Sequence, residues 1–339
     1  MVTGSYPPDI CGAGDYTARL VEAVRARGVT VEVVTGCDWR VVGVPAILHR
    51  INAARPDVVH VQYPTVGYGR KLGLHLVASI RRRSVVTLHE ASQSHWLRRV
   101  SLYPLLLADH IIFTNNYDLR FVAKLAPWVR RRASVIPIGS NMPTVSGKSD
   151  RAIDEIVYFG LIRPKKGLEE VLALAQVLKQ RGCRRKLKII GLPIPEHGNY
   201  LADLQMRTQK EGLPIAWELG LNGHAVADRL ARAGLAYLPF PDGASERRGS
   251  LLSVLASGVA TVTTRGAHTT PELDESVEYA ESSTEAADVL TALALNRARR
   301  QALGDRALLY VSRRAWSVIA EMHLKVYESI VRNRRVQMV

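Results

Sequence analysis

Four segments of the chain carry residue types at spacings that could act on an anion or a sugar. In Ile156-Val157-Tyr158-Phe159-Gly160-Leu161-Ile162-Arg163-Pro164-Lys165-Lys166-Gly167, an apolar run leads through a loop bearing Arg163 and Lys166 into a helical stretch from Leu168. Two cations beside free backbone N–H groups at a helix start suit a diphosphate. Residues 242–252 repeat the device: a strand, then Asp242-Gly243-Ala244-Ser245-Glu246-Arg247-Arg248, then the amides of Gly249, Ser250 and Leu251 opening an apolar helix. Gly12-Ala13-Gly14 opens the first helical stretch and lets backbone N–H groups approach a ligand, with Asp15 beside them. His89-Glu90 ends the apolar run Val85-Val86-Thr87-Leu88, the carboxyl end of a strand, where open α/β sheets place ligands. For each segment the bland alternative is a plain turn or a solvated surface loop. Two chemistries fail on spacing. A zinc protease would need a second His where Gln93 stands, and a dinucleotide fingerprint would need a Gly where Thr17 stands.

The elements that must position these residues alternate. Short β-branched runs fall at 29–35, 57–61, 84–88, 110–114 and 133–137, then at 155–160, 186–191, 214–218, 235–239 and 259–263. Several are unbroken apolar runs, as expected of strands buried on both faces of a parallel sheet. Helical stretches separate them. In the first, Thr17, Leu20, Val21 and Val24 fall at i, i+3, i+4 and i+7, and Gly28 is a helix stop. The polar, Gly- and Ser-containing stretch 139–151 divides the two series. The expectation is an α/β chain of two Rossmann-like, doubly wound parallel-sheet domains facing a cleft, at 1–142 (with 317–339 returning to it) and 150–316.

Composition narrows the partners. The chain has 339 residues, 47% hydrophobic and 23% charged, an ordinary globular balance that excludes disorder. No apolar run reaches the ~18 residues of a membrane span, and the first residues do not read as a signal peptide. Three scattered cysteines imply no disulfide framework. A cytoplasmic protein is expected. The net charge is +15, and residues 1–145 carry 18 Lys and Arg against 9 Asp and Glu. Such a field favours anionic partners. With 6% aromatics that do not interleave with the basic runs, a nucleic-acid stacking platform is not expected. The stretch 96–107 mixes apolar residues with Arg98 and Arg99, the pattern of an interfacial helix, and suggests peripheral attachment to the inner membrane face.

Read together, these segments resemble the family-4 retaining glycosyltransferases of the GT-B fold over nearly the whole chain. Gly12-Ala13-Gly14-Asp15 resembles the family's acceptor-side loop. Thr87-Leu88-His89-Glu90 resembles its strand-end His, and Gly160 to Gly167 its diphosphate loop. Ala256-Ser257-Gly258-Val259-Ala260-Thr261-Val262 is similar to the segment after its donor-site helix. Trp316 to Ile330 looks like the terminal helix that crosses back.

The resemblance implies transfer of a sugar from a nucleoside-diphosphate sugar to a glycan or lipid-linked acceptor with retention of configuration. No cofactor and no metal are implied. His89, Glu90, Arg163 and Lys166 would be catalytic. Donor and glycine-loop contacts would come from Gly12, Gly14, Asp15, Gly160, Arg163, Lys166, Glu246, Arg248, Gly249, Ser250, Leu251 and Ser253. Two positions depart from the family pattern. Leu161 stands where an Arg usually follows the glycine, with Arg163 as substitute. The paired glutamates flanking the donor helix become Ser245 (or Glu246) and Ser253. Three rival readings compete with this one. A non-catalytic GT-B partner subunit would fit the lost carboxylate. A nucleotide-sugar epimerase needs several cleft carboxylates, where only Asp15 and Glu90 are near. An NAD-dependent dehydrogenase is opposed by Thr17.

Overall fold

The structure is a computed structural model, which describes residues 1–80, 83–92, 101–140 and 151–335. It divides into two compact units, one formed by Met1–Gly139 with Arg314–Val339 and the other by Ser140–Arg313. The 141–150 part of the expected linker, and residues 93–100 around the expected interfacial helix, lie outside the described residues.

The first unit is built on a parallel sheet of four strands in the order β1 (Val59–Tyr63), β2 (Ser84–Leu88), β3 (His110–Phe113), β4 (Ala133–Val135). Successive residues of a strand point to opposite faces, and the core divides accordingly. Val86, Ile111 and Phe113 join one cluster with α2 (Val44–Ala53) and α3 (Gly73–Ile80). Val85 and Ile112 join the other, with α1 (Gly12–Arg25) and Ile319, Ala320 and Val326 of the chain's last helix, Trp316–Arg335. The expected face of α1 is the buried one: Thr17, Leu20, Val21 and Val24 are all buried. Each such aliphatic side chain contributes about 1.5–3 kcal/mol.

One expected strand does not form. The run 29–35 forms no ladder with a neighbouring strand. It makes a single bridge, Val2 to Val34, while Val2 bridges Val61 on its other side. Of the stretch 96–107, Leu102, Leu105 and Leu106 are buried in the core, so these three leucines are not available to a bilayer.

The second unit holds a parallel sheet of six strands. They are β5 (Ala152–Ile162), β6 (Lys186–Pro193), β7 (Ile215–Leu219), β8 (Ala233–Leu238), β9 (Ala260–Thr263) and β10 (Glu278–Tyr279), in the order β10-β9-β8-β5-β6-β7. β10, two residues long, is too short to show periodicity in the sequence. The central pair, β5 and β8, lead into the two basic loops. β5 feeds the helix after Gly167, and β8 feeds the helix after Arg248. Between α4 (Asn116–Leu125) of the first unit and the last helix, the helices are α5 (Leu168–Gln180), α6 (Gly198–Lys210), α7 (Gly223–Arg232), α8 (Gly249–Ala256), α9 (Pro271–Asp274), α10 (Ser283–Leu295) and α11 (Arg297–Ser312), which makes Trp316–Arg335 α12. No helix among the described residues is long and apolar enough to cross a membrane.

Candidate functional site

In the first unit, His89 follows the last residue of β2 and is fixed at three points. Its backbone N–H donates to Tyr63 O at 2.9 Å. Its carbonyl accepts from the Thr114 hydroxyl at 3.3 Å. Its Nε2 lies 2.9 Å from Gln62 Oε1. The Tyr16 ring stands edge-on to the imidazole, 4.9 Å between centroids. Tyr16 follows Asp15, so the start of α1, with Gly12, Gly14 and Asp15, adjoins the end of β2. Gly14 is there because a Cβ would meet Ser5 O at 3.0 Å, whereas Gly12 faces open space. Glu90 is exposed and makes no ion pair among the described residues.

Beneath His89 lies a polar network that the sequence reading missed. Gln62 Nε2 is 3.2 Å from His60 Nε2, which also meets the Thr87 hydroxyl at 2.7 Å. His60 Nδ1 is 2.6 Å from the Tyr327 hydroxyl of α12. His323 donates from Nδ1 to Ile319 O at 2.8 Å, so its Nε2 accepts from the Tyr16 hydroxyl at 3.2 Å. Burial holds all three imidazoles neutral. It lowers His323 to about 4. Burial first, then His323, lowers His89 to about 4 against the opposing pull of Asp118. His60 is lowered well below the ordinary range by burial, with His323 next. One sequence signal existed: the alternation Val59-His60-Val61-Gln62-Tyr63 puts two polar side chains on one face of a strand that is buried throughout.

In the second unit, adjacency of β5 and β8 brings the two basic loops together. Gly167, the residue preceding α5, has φ +81°, and a Cβ there would fall 1.5 Å from Pro239 O. Only glycine permits that approach. Lys165 is also left-handed, at φ 64°, a strained state for a lysine and of the kind that collects at ligand loops. The buried Tyr158 hydroxyl donates to Lys166 O at 3.0 Å. Burial, then Glu169, raises its pKa, and both Arg163 and Arg248 pull it down. One hydroxyl therefore feels a cation from each loop. Arg163 is exposed and Lys166 half-buried. Arg248 lies 4.8 Å over the Phe240 ring and is ion-paired with Asp242. The N-cap residues of α5 and α8, Gly167 and Arg248, place no side-chain cap on the first turn, where the backbone N–H groups of a helix start can meet an anion. Gly249 faces open space, with Ser250 and Leu251 completing the turn after the half-buried Glu246. The Ser253 hydroxyl turns back onto Gly249 O at 2.8 Å.

Comparison with solved structures places this arrangement in a known architecture. The chain superposes on a glycosyltransferase from Rickettsia africae with a TM-score of 0.74 at 11% identity, covering 95% of this chain and 96% of that one. Anabaena HepE, solved with UDP and glucose, matches with a TM-score of 0.69 at 13% identity, over 97% and 98% of the two chains. Sucrose-phosphate synthase from Thermosynechococcus elongatus matches with a TM-score of 0.69 at 16% identity, over 94% and 93%. No protein-family model matches the sequence, and no curated protein matches it. At such identities the likeness is one of fold, and the fold is GT-B, the two-sheet architecture of glycosyltransferases.

Proposed function

We propose that the chain transfers a sugar from a nucleoside-diphosphate sugar to a glycan or lipid-linked acceptor, with retention of configuration and without a metal or cofactor. The observation that carries this reading is the pairing of two uncapped helix starts with cations from both loops on neighbouring strands of the second unit. Arg163, Lys166 and the first-turn amides of α5 and α8 would hold the diphosphate and stabilise the negative charge that builds on it as the bond to the sugar breaks. His89 and Glu90 would serve the sugar, and the loop at Gly12, Gly14 and Asp15 the acceptor. The test is calorimetry with UDP, GDP, UDP-glucose, UDP-N-acetylglucosamine and GDP-mannose, with and without EDTA. Binding that survives EDTA is expected. Arg163→Ala or Lys166→Ala should each weaken it at least tenfold, since a hydrogen bond to a charged group contributes about 1.5–3 kcal/mol. Unchanged binding in both variants would sink the assignment.

A lipid-linked acceptor at an anionic membrane is supported by exposed Val41, Val42, Leu72 and Leu76 near Arg40, Arg70 and Lys71, and by exposed Tyr103 and Leu107 on a turn against which α3 also packs. Flotation with anionic liposomes at low and high salt tests it, and no association at either would point to a soluble acceptor. A second reading, a non-catalytic partner subunit, is favoured by Ser253: where the resemblance expects a carboxylate, a hydroxyl is bonded into its own helix. Binding of no nucleotide sugar by the wild type would select it.

A further inference from the structure

The polar network under His89 specifies which of its ring nitrogens carries the proton. The buried Gln62 amide spans two histidines, with Oε1 2.9 Å from His89 Nε2 and Nε2 3.2 Å from His60 Nε2. An amide N–H only donates and an amide oxygen only accepts, so His60 Nε2 holds a lone pair and His89 Nε2 a hydrogen. His60 Nε2 also accepts from the Thr87 hydroxyl at 2.7 Å, and its Nδ1–H donates to the Tyr327 hydroxyl at 2.6 Å. One polarity therefore runs from α12 through β1 to the end of β2. It leaves the lone pair of His89 on Nδ1, which makes no hydrogen bond to a described residue.

We infer that Gln62 is a positioning residue: with His60 and Tyr327 behind it, it holds His89 as the Nε2–H tautomer, so that Nδ1 accepts a hydrogen bond from a hydroxyl of the donor sugar. This rests on the role proposed for His89 at the sugar. The tautomer of an imidazole is set by the bond its other nitrogen makes, and here that bond leads to a chain anchored on another element. Among the described residues, Gln62 on β1 bonds to the His89 ring and Tyr16 on α1 stands edge-on to it, while His60 on β1, His323 on α12 and Asp118 on α4 act on it electrostatically. None but Gln62 is hydrogen-bonded to the ring. Gln62 therefore selects which nitrogen of the neutral ring carries the proton.

The test reads the tautomer directly, by nitrogen NMR of the histidine-labelled full chain without ligand. The wild type should show His89 pyrrole-like at Nε2 and pyridine-like at Nδ1. Gln62→Leu should mix the two tautomers. It should also lower kcat roughly ten- to a hundredfold, the range for losing the group that orients a functional imidazole. KM should change little for whichever nucleotide sugar of the panel the wild type turns over. Gln62→Glu, which still accepts from Nε2–H, should keep the tautomer, rescue most of kcat and move the acid limb of the pH profile upward. A wild-type His89 protonated at Nδ1, an unmixed tautomer in Gln62→Leu, or an acid limb unmoved in Gln62→Glu would each overturn the inference. A wild type that binds no nucleotide sugar would overturn the functional reading instead, and the spectra would still judge the network.

Discussion

The first unit buries polar groups under His89, neutral and bonded to one another, whereas the second sets cations at loop ends beside helix starts whose N-cap residues place no side-chain cap. Desolvating an imidazolium is costly, so the first arrangement exists only as uncharged rings with every proton assigned. Arg163, by contrast, is exposed to solvent. The contrast teaches that one region is built for geometry and the other for charge. Their vulnerabilities should differ in the same way.

The largest expected effect comes from adding one methyl in the second unit. Gly167→Ala combines a left-handed backbone with a Cβ 1.5 Å from Pro239 O, and should destabilise by about 2–5 kcal/mol. Gly12→Ala in the first unit faces open space and should cost less than about 0.5 kcal/mol. Thermal melts of the two variants check this, and equal melting temperatures would break the comparison.

Acid should separate the units next. The His89 and His323 imidazoles lie near 4 in the folded state, below the ordinary 6.5, so the unfolded chain binds protons that the native state refuses. Stability contributed by the neutral rings is full above pH 6.5 and falls between 6.5 and 4. For His323 alone the loss at pH 4 is on the order of 3 kcal/mol. In the second unit, Glu218 has its pKa lowered because bonds from Arg229 and Lys188 outweigh burial, so that contribution is lost only below about 4.5. Hydrogen exchange at pH 7, 5.5 and 4.5 should show the first unit losing protection first. Simultaneous loss would contradict this.

The smallest effect concerns the helix that opens at Gly249. Ser253→Ala removes a hydroxyl that, among the described residues, bonds back to its own helix, and should change stability by about 1 kcal/mol or less and leave nucleotide affinity unaltered. A larger loss of affinity would show that Ser253 reaches the ligand.

Much of the frame was legible in the sequence, because parallel strands buried on both faces must be apolar runs, and those runs at 84–88, 110–114 and 235–239 became β2, β3 and β8. The need for glycine at 167 was not legible. It arises from Pro239 O, more than 70 residues away. The polar network was hidden for the same reason: Tyr327 meets His60 across 267 residues, and only the alternation in β1 hinted that its polar face had a purpose. The run 29–35 shows the reverse error, β propensity realised in a single bridge.

The last helix has a consequence for how the protein is made. Ile319, Ala320, Val326 and Ile330 of α12 complete the core around α1 and one face of the first sheet, yet a ribosome delivers them only after the whole of the second unit. At translation rates of about 5–20 residues per second, the stretch Ser140–Arg313 that separates them from the rest of the first unit occupies on the order of 10–35 s. Throughout that interval the opening part of the polypeptide carries an uncovered apolar surface, while the middle part, emerging whole, is able to fold. The piece synthesised second is therefore able to finish first, and the first unit closes only when α12 leaves the tunnel.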